Sequence, residues 1–213
     1  DGFINPSTMY ISAPQRVVTA SGAPLTNVVE IGAGDDHACA RLHDGTERTK
    51  LDERAVRRAA REMKAASIAT VAICFLHSYA NPAHERRAAE IVRETAPDLL
   101  VSLSSDVSPI YREYERASTT TLNAYLMSVV GAYVQRIQQG LAARKFKRKL
   151  FIMQSNGGVA TPDIVEQFPI RIIESGPAAG VITAVRYAPA AGTNNILSFD
   201  MGGTTAKLCL IEA

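Results

Sequence analysis

The chain has 213 residues, 46% of them apolar and 21% charged, and a net charge of +2. That describes an ordinary globular protein long enough for one domain or two small ones. It excludes the strongly basic surface of a nucleic-acid or anionic-membrane binder, so neither partner is expected. The longest apolar run, residues 68–76, is too short to cross a bilayer. The opening Asp1-Gly-Phe-Ile-Asn-Pro lacks the basic leader and apolar core of a signal peptide, which predicts a cytoplasmic location. Cys39, Cys74 and Cys209 are scattered and odd in number, so neither a disulfide framework nor a zinc site is indicated. Cys74 and Cys209 fall in predicted buried strands, where a thiol acts as a small hydrophobe.

Residues 1–50 are broken by Pro6, Pro14, Gly22, Pro24, Gly32, Gly34 and Gly45, and only 27–31 reads as a strand. His37, Cys39 and His43 invite a metal reading, but they lie in a Gly- and Asp-rich stretch without ligand spacing. From Leu51 the texture is regular. Asp52 caps a helix with Val56, Ala59, Ala60 and Met63 on one face and a basic, solvated face opposite. The run 68–76 predicts a strand buried on both sides. Asn81-Pro82 then opens a helix to about Thr95, and 99–103 is a further strand. This alternation predicts an α/β domain. His77, His84 and Glu85 fall near the first strand's carboxyl end, where ligand sites gather in such domains, although the simpler reading is a loop histidine and a helix's first turn.

Residues 109–145 predict the longest helix, with Leu122, Leu126, Val129, Val130, Tyr133, Ile137 and Leu141 as its packing stripe. Arg112, Glu113, Glu115 and Arg116 at its start read either as local ion pairs or, with 118–121, as groups that contact a substrate. The basic run Arg144-Lys-Phe-Lys-Arg-Lys149 suits a helix end and suggests a boundary at 148/149. A strand at 150–153 leads into Gln154-Ser-Asn-Gly-Gly158, either a tight turn or a loop whose amides hold a polar group. Next, 170–173 predicts a strand, and Pro177 opens a helix that Ala178, Ala179, Gly180 and Ala184 keep free of bulk.

The last stretch carries the chemistry. Apolar runs 196–199 and 208–211 flank Asp200-Met-Gly-Gly-Thr-Thr205, predicting a hairpin joined at Gly202-Gly203. Glycines there allow positive φ and let backbone N–H groups approach an anion. Thr204 and Thr205 add hydroxyl donors, and Asp200 can hold magnesium through water. A plain turn with a solvated aspartate is the alternative.

Together, Ser155-Asn-Gly-Gly158, Glu174-Ser-Gly-Pro-Ala-Ala-Gly180 and Asp200-Met-Gly-Gly-Thr-Thr205 resemble the A subunit of the hydantoinase/oxoprolinase family. So do Arg112-Glu-Tyr-Glu-Arg-Ala-Ser-Thr-Thr-Thr121 and Leu76-His-Ser-Tyr-Ala-Asn-Pro-Ala-His-Glu85. The strand–glutamate–small helix–hairpin order is similar to the actin, heat-shock-chaperone and sugar-kinase superfamily. The resemblance implies an incomplete ribonuclease-H-like, actin-type ATPase fold. Residues 1–148 would end one domain, irregular to residue 50 and α/β from 51, and 149–213 would begin the next.

It also implies ATP with Mg²⁺ as cofactors and phosphorylation of a cyclic amide, a hydantoin or 5-oxoproline, for ring opening. On that model Asp200 and Glu174 are catalytic, with Asp200 orienting magnesium through water. Gly202, Gly203, Thr204, Thr205, Gly176 and Lys207 hold phosphate, while Arg112, Glu113, Arg116, Asn156, Gly157 and Gly158 meet the substrate. Ala206-Lys207 stands where many relatives have Thr-Asp, so a second acidic group is missing and Lys207 adds positive charge instead. Only one phosphate hairpin is present, which predicts an internal piece that is inert alone and works with the rest of its subunit and a B subunit. The other readings are a ketone carboxylase subunit, a sugar or carboxylate kinase, and a chaperone-like nucleotide switch.

Overall fold

The computed structural model describes residues 49–193 and 195–212 in full, and the backbone of 28–34 and 37–42. The readings on 1–27 and on His43 lie outside the described residues. The chain divides into two units, 1–50 and 51–213. In the first, β1 (Val28–Gly34) and β2 (His37–Leu42) pair antiparallel, with Gly34 opposite His37. The sequence predicted one strand at 27–31. The second, Ala-rich and weak in β propensity, exists because a neighbouring strand pairs with it.

The second unit begins with a βαβ layer. Asp52 caps α1 (Glu53–Ala65) by accepting from the N–H groups of Arg54 and Ala55. Its buried face is Ala55, Val56 and Ala60 with Met63 partly covered, whereas Ala59, expected on that face, is exposed. β3 (Thr70–Ile73) runs parallel to β4 (Leu100–Leu103) in register from Thr70–Leu100 to Ile73–Leu103. The crossover is α2 (Ala83–Thr95), and Asn81 accepts from the N–H of Ala83 at its start. The strand predicted over 68–76 is therefore cut to four residues, because β4 offers only four partners. Cys74 lies past its end and is exposed rather than buried.

Ile73, Val101 and Leu103 join α1 and α2 in one core with Ile91, Val92 and Leu99. Ser102, between Val101 and Leu103, points the other way. Its hydroxyl donates to the carbonyl of Thr120 in α4 (Glu113–Ala143). Helices thus cover both faces of the two-stranded sheet. The short α3 (Ser104–Val107) leads from β4 towards α4.

α4 corrects the sequence reading most. Its buried residues are Arg116, Thr120, Asn123, Ala124, Met127, Gly131 and Val134. Leu122, Val129 and Tyr133 of the predicted stripe face solvent. A buried polar residue is tolerated where its donors and acceptors are satisfied, and these are. Asn123 donates to Ser102 Oγ and the Gln167 carbonyl, and accepts from the N–H of Ile170.

The carboxyl half of α4 packs on a second cluster, where Val134, Ala160 and Val165 meet Val130, Ile152 and Ile172. β5 (Ile152–Met153) and β6 (Val159–Ala160) form a minimal antiparallel hairpin, so the strand predicted at 150–153 is two residues long. α5 (Pro162–Gln167) follows. Residues 170–173 are not a strand, since Pro169–Ile172 is a 3-10 turn pinned to α4 through Asn123. α6 (Ser175–Tyr187) then leads to β7 (Ile196–Met201) and β8 (Ala206–Ile211), an antiparallel pair longer than predicted at both inner ends. Among the described residues, no helix is long and apolar enough to cross a membrane.

Candidate active site

The two constellations singled out in the sequence fold into two separate places. The first lies at the carboxyl ends of β3 and β4. Arg116 is 1% exposed, and its guanidinium donates to Ser104 Oγ, to the carbonyls of Ile110 and Phe75, and to the carboxylate of Glu113. It also stacks over the Tyr79 ring at 5.5 Å. Glu85 in the first turn of α2 is fully buried, accepting from Ser104 Oγ at 2.6 Å and from the N–H groups of Phe75 and Ser105. His77 adopts a positive φ of 56° and its N–H donates to Glu113. Arg112 is exposed and pairs with Glu115. Of the three residues of this region expected to meet a substrate, Arg116 and Glu113 thus tie strand ends to helices, and Arg112 stands at the surface.

The second place is the space between α6 and the β7–β8 hairpin. Strand alternation puts Ser198 and Asp200 on one face of β7, and Lys207 and Cys209 on the same face of β8. The register sets Asp200 opposite Lys207 and Ser198 opposite Cys209. These four, with Ser155, Glu174 and the start of α6, line a cleft of about 520 Å³. Glu174 precedes α6, and its carboxylate pairs with Lys207. Both partners are well exposed, so the pair adds little stability. The carboxylate of Asp200 makes no hydrogen bond or ion pair with the described residues.

The glycines separate into two kinds. Gly157 is fixed by the fold, because it has φ 86° and its absent Cβ would lie 2.4 Å from Ile182 Cδ1 of α6. Asn156 Oδ1 accepts from the N–H of Gly158, closing the same turn. Ser155 fastens that turn beside the cleft, accepting from the N–H of Glu174 while its own N–H donates to the Arg171 carbonyl. By contrast, Gly202 and Gly203 do not use the positive φ that glycine allows. A Cβ at Gly203 or Gly176 would meet no atom within 4 Å, and one at Gly202 only the Thr205 carbonyl oxygen at 3.8 Å. Neither local strain nor packing among the described residues calls for glycine at these three positions. The loop from Gly202 to Thr205 is closed by the N–H of Gly202 donating to the Thr205 carbonyl.

The small-residue helix after Pro177 packs on the hairpin, where a Cβ at Gly180 would lie 3.9 Å from Asp200 Cβ, an ordinary van der Waals contact. Ser155 and Ser198 were missed as lining residues. Period-two alternation counted back from Asp200 was the available signal for Ser198, and the Ser-Asn-Gly-Gly motif for Ser155. Arg112, Glu113 and Arg116 do not line this cleft. Among the described residues, no group of three or more His, Cys, Asp or Glu side chains is placed to hold a metal.

Residues 116–213 match the family model described as hydantoinase/oxoprolinase, and residues 9–96 match that of the hydantoinase/oxoprolinase N-terminal region. The chain belongs to the hydantoinase/oxoprolinase family. Caprolactamase subunit alpha of Pseudomonas jessenii is 37% identical over 169 residues, covering 79% of this chain and 24% of that protein. A 5-oxoprolinase of Saccharomyces cerevisiae is 39% identical over 163 residues, covering 75% of this chain and 12% of that protein. The solved structure of nucleotide-free acetone carboxylase, an enzyme of ATP-dependent acetone carboxylation, superposes with a TM-score of 0.69 at 32% identity. That match covers 87% of this chain and 25% of the other. The chain thus spans about a quarter or less of the length of the relatives it matches.

Proposed function

We propose that the cleft between α6 and the β7–β8 hairpin is the phosphate side of an ATP site. It would belong to a subunit that activates a cyclic amide, a hydantoin or 5-oxoproline, for ring opening. The observation that carries this reading is the coincidence of an uncommitted carboxylate, a lysine opposite it, and glycines that the chain's own packing does not require. A glycine without a local reason leaves room for backbone N–H groups to meet an anion. A single carboxylate also fits magnesium, which binds through one or two carboxylates, substrate phosphate and water.

On this reading Asp200 would hold the magnesium through water, and Gly203, Thr204 and Thr205 would supply N–H and hydroxyl donors to phosphate oxygens. Gly202, whose own N–H closes the loop onto Thr205, keeps the approach free of a side chain. Gly176 opens the first turn of α6 to the same oxygens, and Lys207 adds positive charge. Glu174 orients Lys207 and stands beside the reacting groups. Asn156, Gly157 and Gly158 flank the cleft on the substrate side, whereas Arg112, Glu113 and Arg116 lie outside it and take no part in this reading. When bound, ATP supplies the phosphoryl group that turns a poor amide oxygen into a leaving group. The protein's share is positioning and charge neutralisation.

The actin-type fold of two clamped halves goes with this reading, and the similarity to an acetone carboxylase structure and to 5-oxoprolinase is what supports it. The other phosphate hairpin and the adenosine site would come from the remainder of a cytoplasmic subunit that works with a B subunit, and this chain alone would be inert. Likeness to acetone carboxylase favours a second reading, in which a ketone oxygen is the phosphoryl acceptor. The test is ATP hydrolysis by the full-length subunit with its partner, offered 5-oxoproline, hydantoin, caprolactam or acetone in turn. Stimulation by a lactam or hydantoin that disappears in Asp200→Asn supports the first reading, and stimulation by acetone alone supports the second. Sugar phosphorylation, or hydrolysis indifferent to all four, would overturn both.

A further inference from the structure

α4 has two faces. One is buried against β3, β4 and the 3-10 turn through Arg116, Thr120, Asn123, Met127 and Val134. The other carries Leu122, Leu126, Val129 and Tyr133, separated by four, three and four residues, as in the seam of a paired helix. Leu122, Val129 and Tyr133 are 44%, 59% and 53% exposed. Towards the carboxyl end this stripe runs into a groove of about 330 Å³ between Tyr133, Ile137, Leu141 and the two arginines Arg136 and Arg144, with Gly140 as part of its lining. A Cβ at Gly140 would meet only Arg144 Nη1, at 3.5 Å, so the groove is open to a side chain from outside.

The charge around this face is one-sided. Arg136, Arg144, Lys145, Lys147, Arg148 and Lys149 cluster at the end of α4, and no acidic residue occurs between Glu115 and Asp163. Among the described residues none of the six forms a salt bridge, whereas Arg57, Arg86, Arg87, Arg112 and Arg116 all do. The helix dipole accounts for cations in the last turn only. Arg136 lies two turns inside, and Lys147 to Lys149 lie beyond the end.

We propose that this face docks an acidic amphipathic helix from outside these 213 residues. Apolar side chains at three-four spacing fill the seam and groove, and flanking carboxylates meet Arg136, Arg144 and the cations at 145–149. Charge complementarity selects this occupant over a second copy of the chain. A parallel copy would align like charges. An antiparallel copy centred on Tyr133 would lay the cations at 144–149 against the neutral stretch 117–122 and Arg136 against Val130. The inference is independent of the nucleotide reading, since α4 does not line that cleft.

The test uses the 213-residue chain and a synthetic helix of about four heptads with Leu at the seam positions and Glu beside them. The control helix carries Lys in place of Glu. At low salt the Glu helix is expected to bind at least about tenfold more tightly than the Lys helix, with the difference shrinking as salt rises. The quadruple variant Arg136→Glu/Arg144→Glu/Lys147→Glu/Lys149→Glu, which leaves two cations against four carboxylates, is expected to reverse the preference, a result that misfolding does not produce. Lys147→Glu/Lys149→Glu, placed outside α4, is expected to weaken Glu-helix binding with an unchanged melting temperature. Equal affinity for the two helices, no binding, or self-association lost in Tyr133→Ser would overturn the proposal. So would tighter binding of duplex DNA or phosphatidylserine vesicles than of the Glu helix.

Discussion

The polar cluster at the ends of β3 and β4 and the polar cluster beside the β7–β8 hairpin contain similar residue types and do opposite things with them. In the first, Arg116 and Glu85 are buried, and the hydrogen bonds of their charged groups run to strand ends and helix starts within the chain. In the second, Asp200 is exposed and uncommitted, Lys207 and Glu174 share one exposed pair, and the glycines are not explained by packing. Burial with satisfied partners marks residues that build the fold, whereas exposed groups without internal partners are available to a ligand.

That contrast is broken or sharpened by substitution. The largest effect is expected for Arg116→Ala, which takes a donor from Glu113, Ser104 and two carbonyls and empties a buried site. It should lower stability by about 3 kcal/mol or more, read by denaturant unfolding of the 213-residue chain. Asn123→Ala, which strands the N–H of Ile170 and the carbonyl of Gln167, should cost about 2 kcal/mol. Gly157→Ala, forced into a positive φ and onto Ile182, should cost at least about 1 kcal/mol. Gly203→Ala and Lys207→Ala should stay within about 0.5 kcal/mol of the parent chain, because neither position is packed. A hairpin variant as costly as Arg116→Ala would erase the distinction between the two clusters.

The smallest effect is a pH dependence. The Glu53 carboxyl is held below its usual range, first by the hydrogen bond from Arg87 and then by charge attraction to Arg87 and Arg57. A depressed carboxyl contributes stability above its unfolded pKa and loses it as pH falls through the folded one. The melting difference between the parent chain and Glu53→Gln should therefore be steady near neutrality and vanish on acidification through the carboxylate range. A difference that grows with acid would contradict the Arg87 assignment.

Much of this was legible in the residues. Asp52 and Asn81 announced two helix starts, the parallel α/β alternation was readable from texture, and two apolar runs about a glycine pair gave the hairpin. The motifs around Glu174 and Asp200 also named residues that the fold brings to one cleft. What stayed hidden has a common cause. The apolar period of α4 points to Leu122, Val129 and Tyr133, but the core took the face of Arg116, Thr120 and Asn123, whose polar groups find partners only in the folded chain. Residues 170–173 read as β-branched strand, yet strand formation needs a partner edge, and Asn123 captures Ile170 in a 3-10 turn instead. Gly202 and Gly203 permit positive φ, and the sequence does not show whether the backbone uses it; here it does not.

The most direct test of the account is calorimetric titration of the full-length subunit with Mg·ATP, comparing the parent protein with Asp200→Ala and Gly203→Val. The account predicts that the parent binds and that each variant weakens binding by at least about tenfold while melting within a few degrees of the parent. Equal affinity in all three proteins would contradict it, since the hairpin would then not touch the nucleotide.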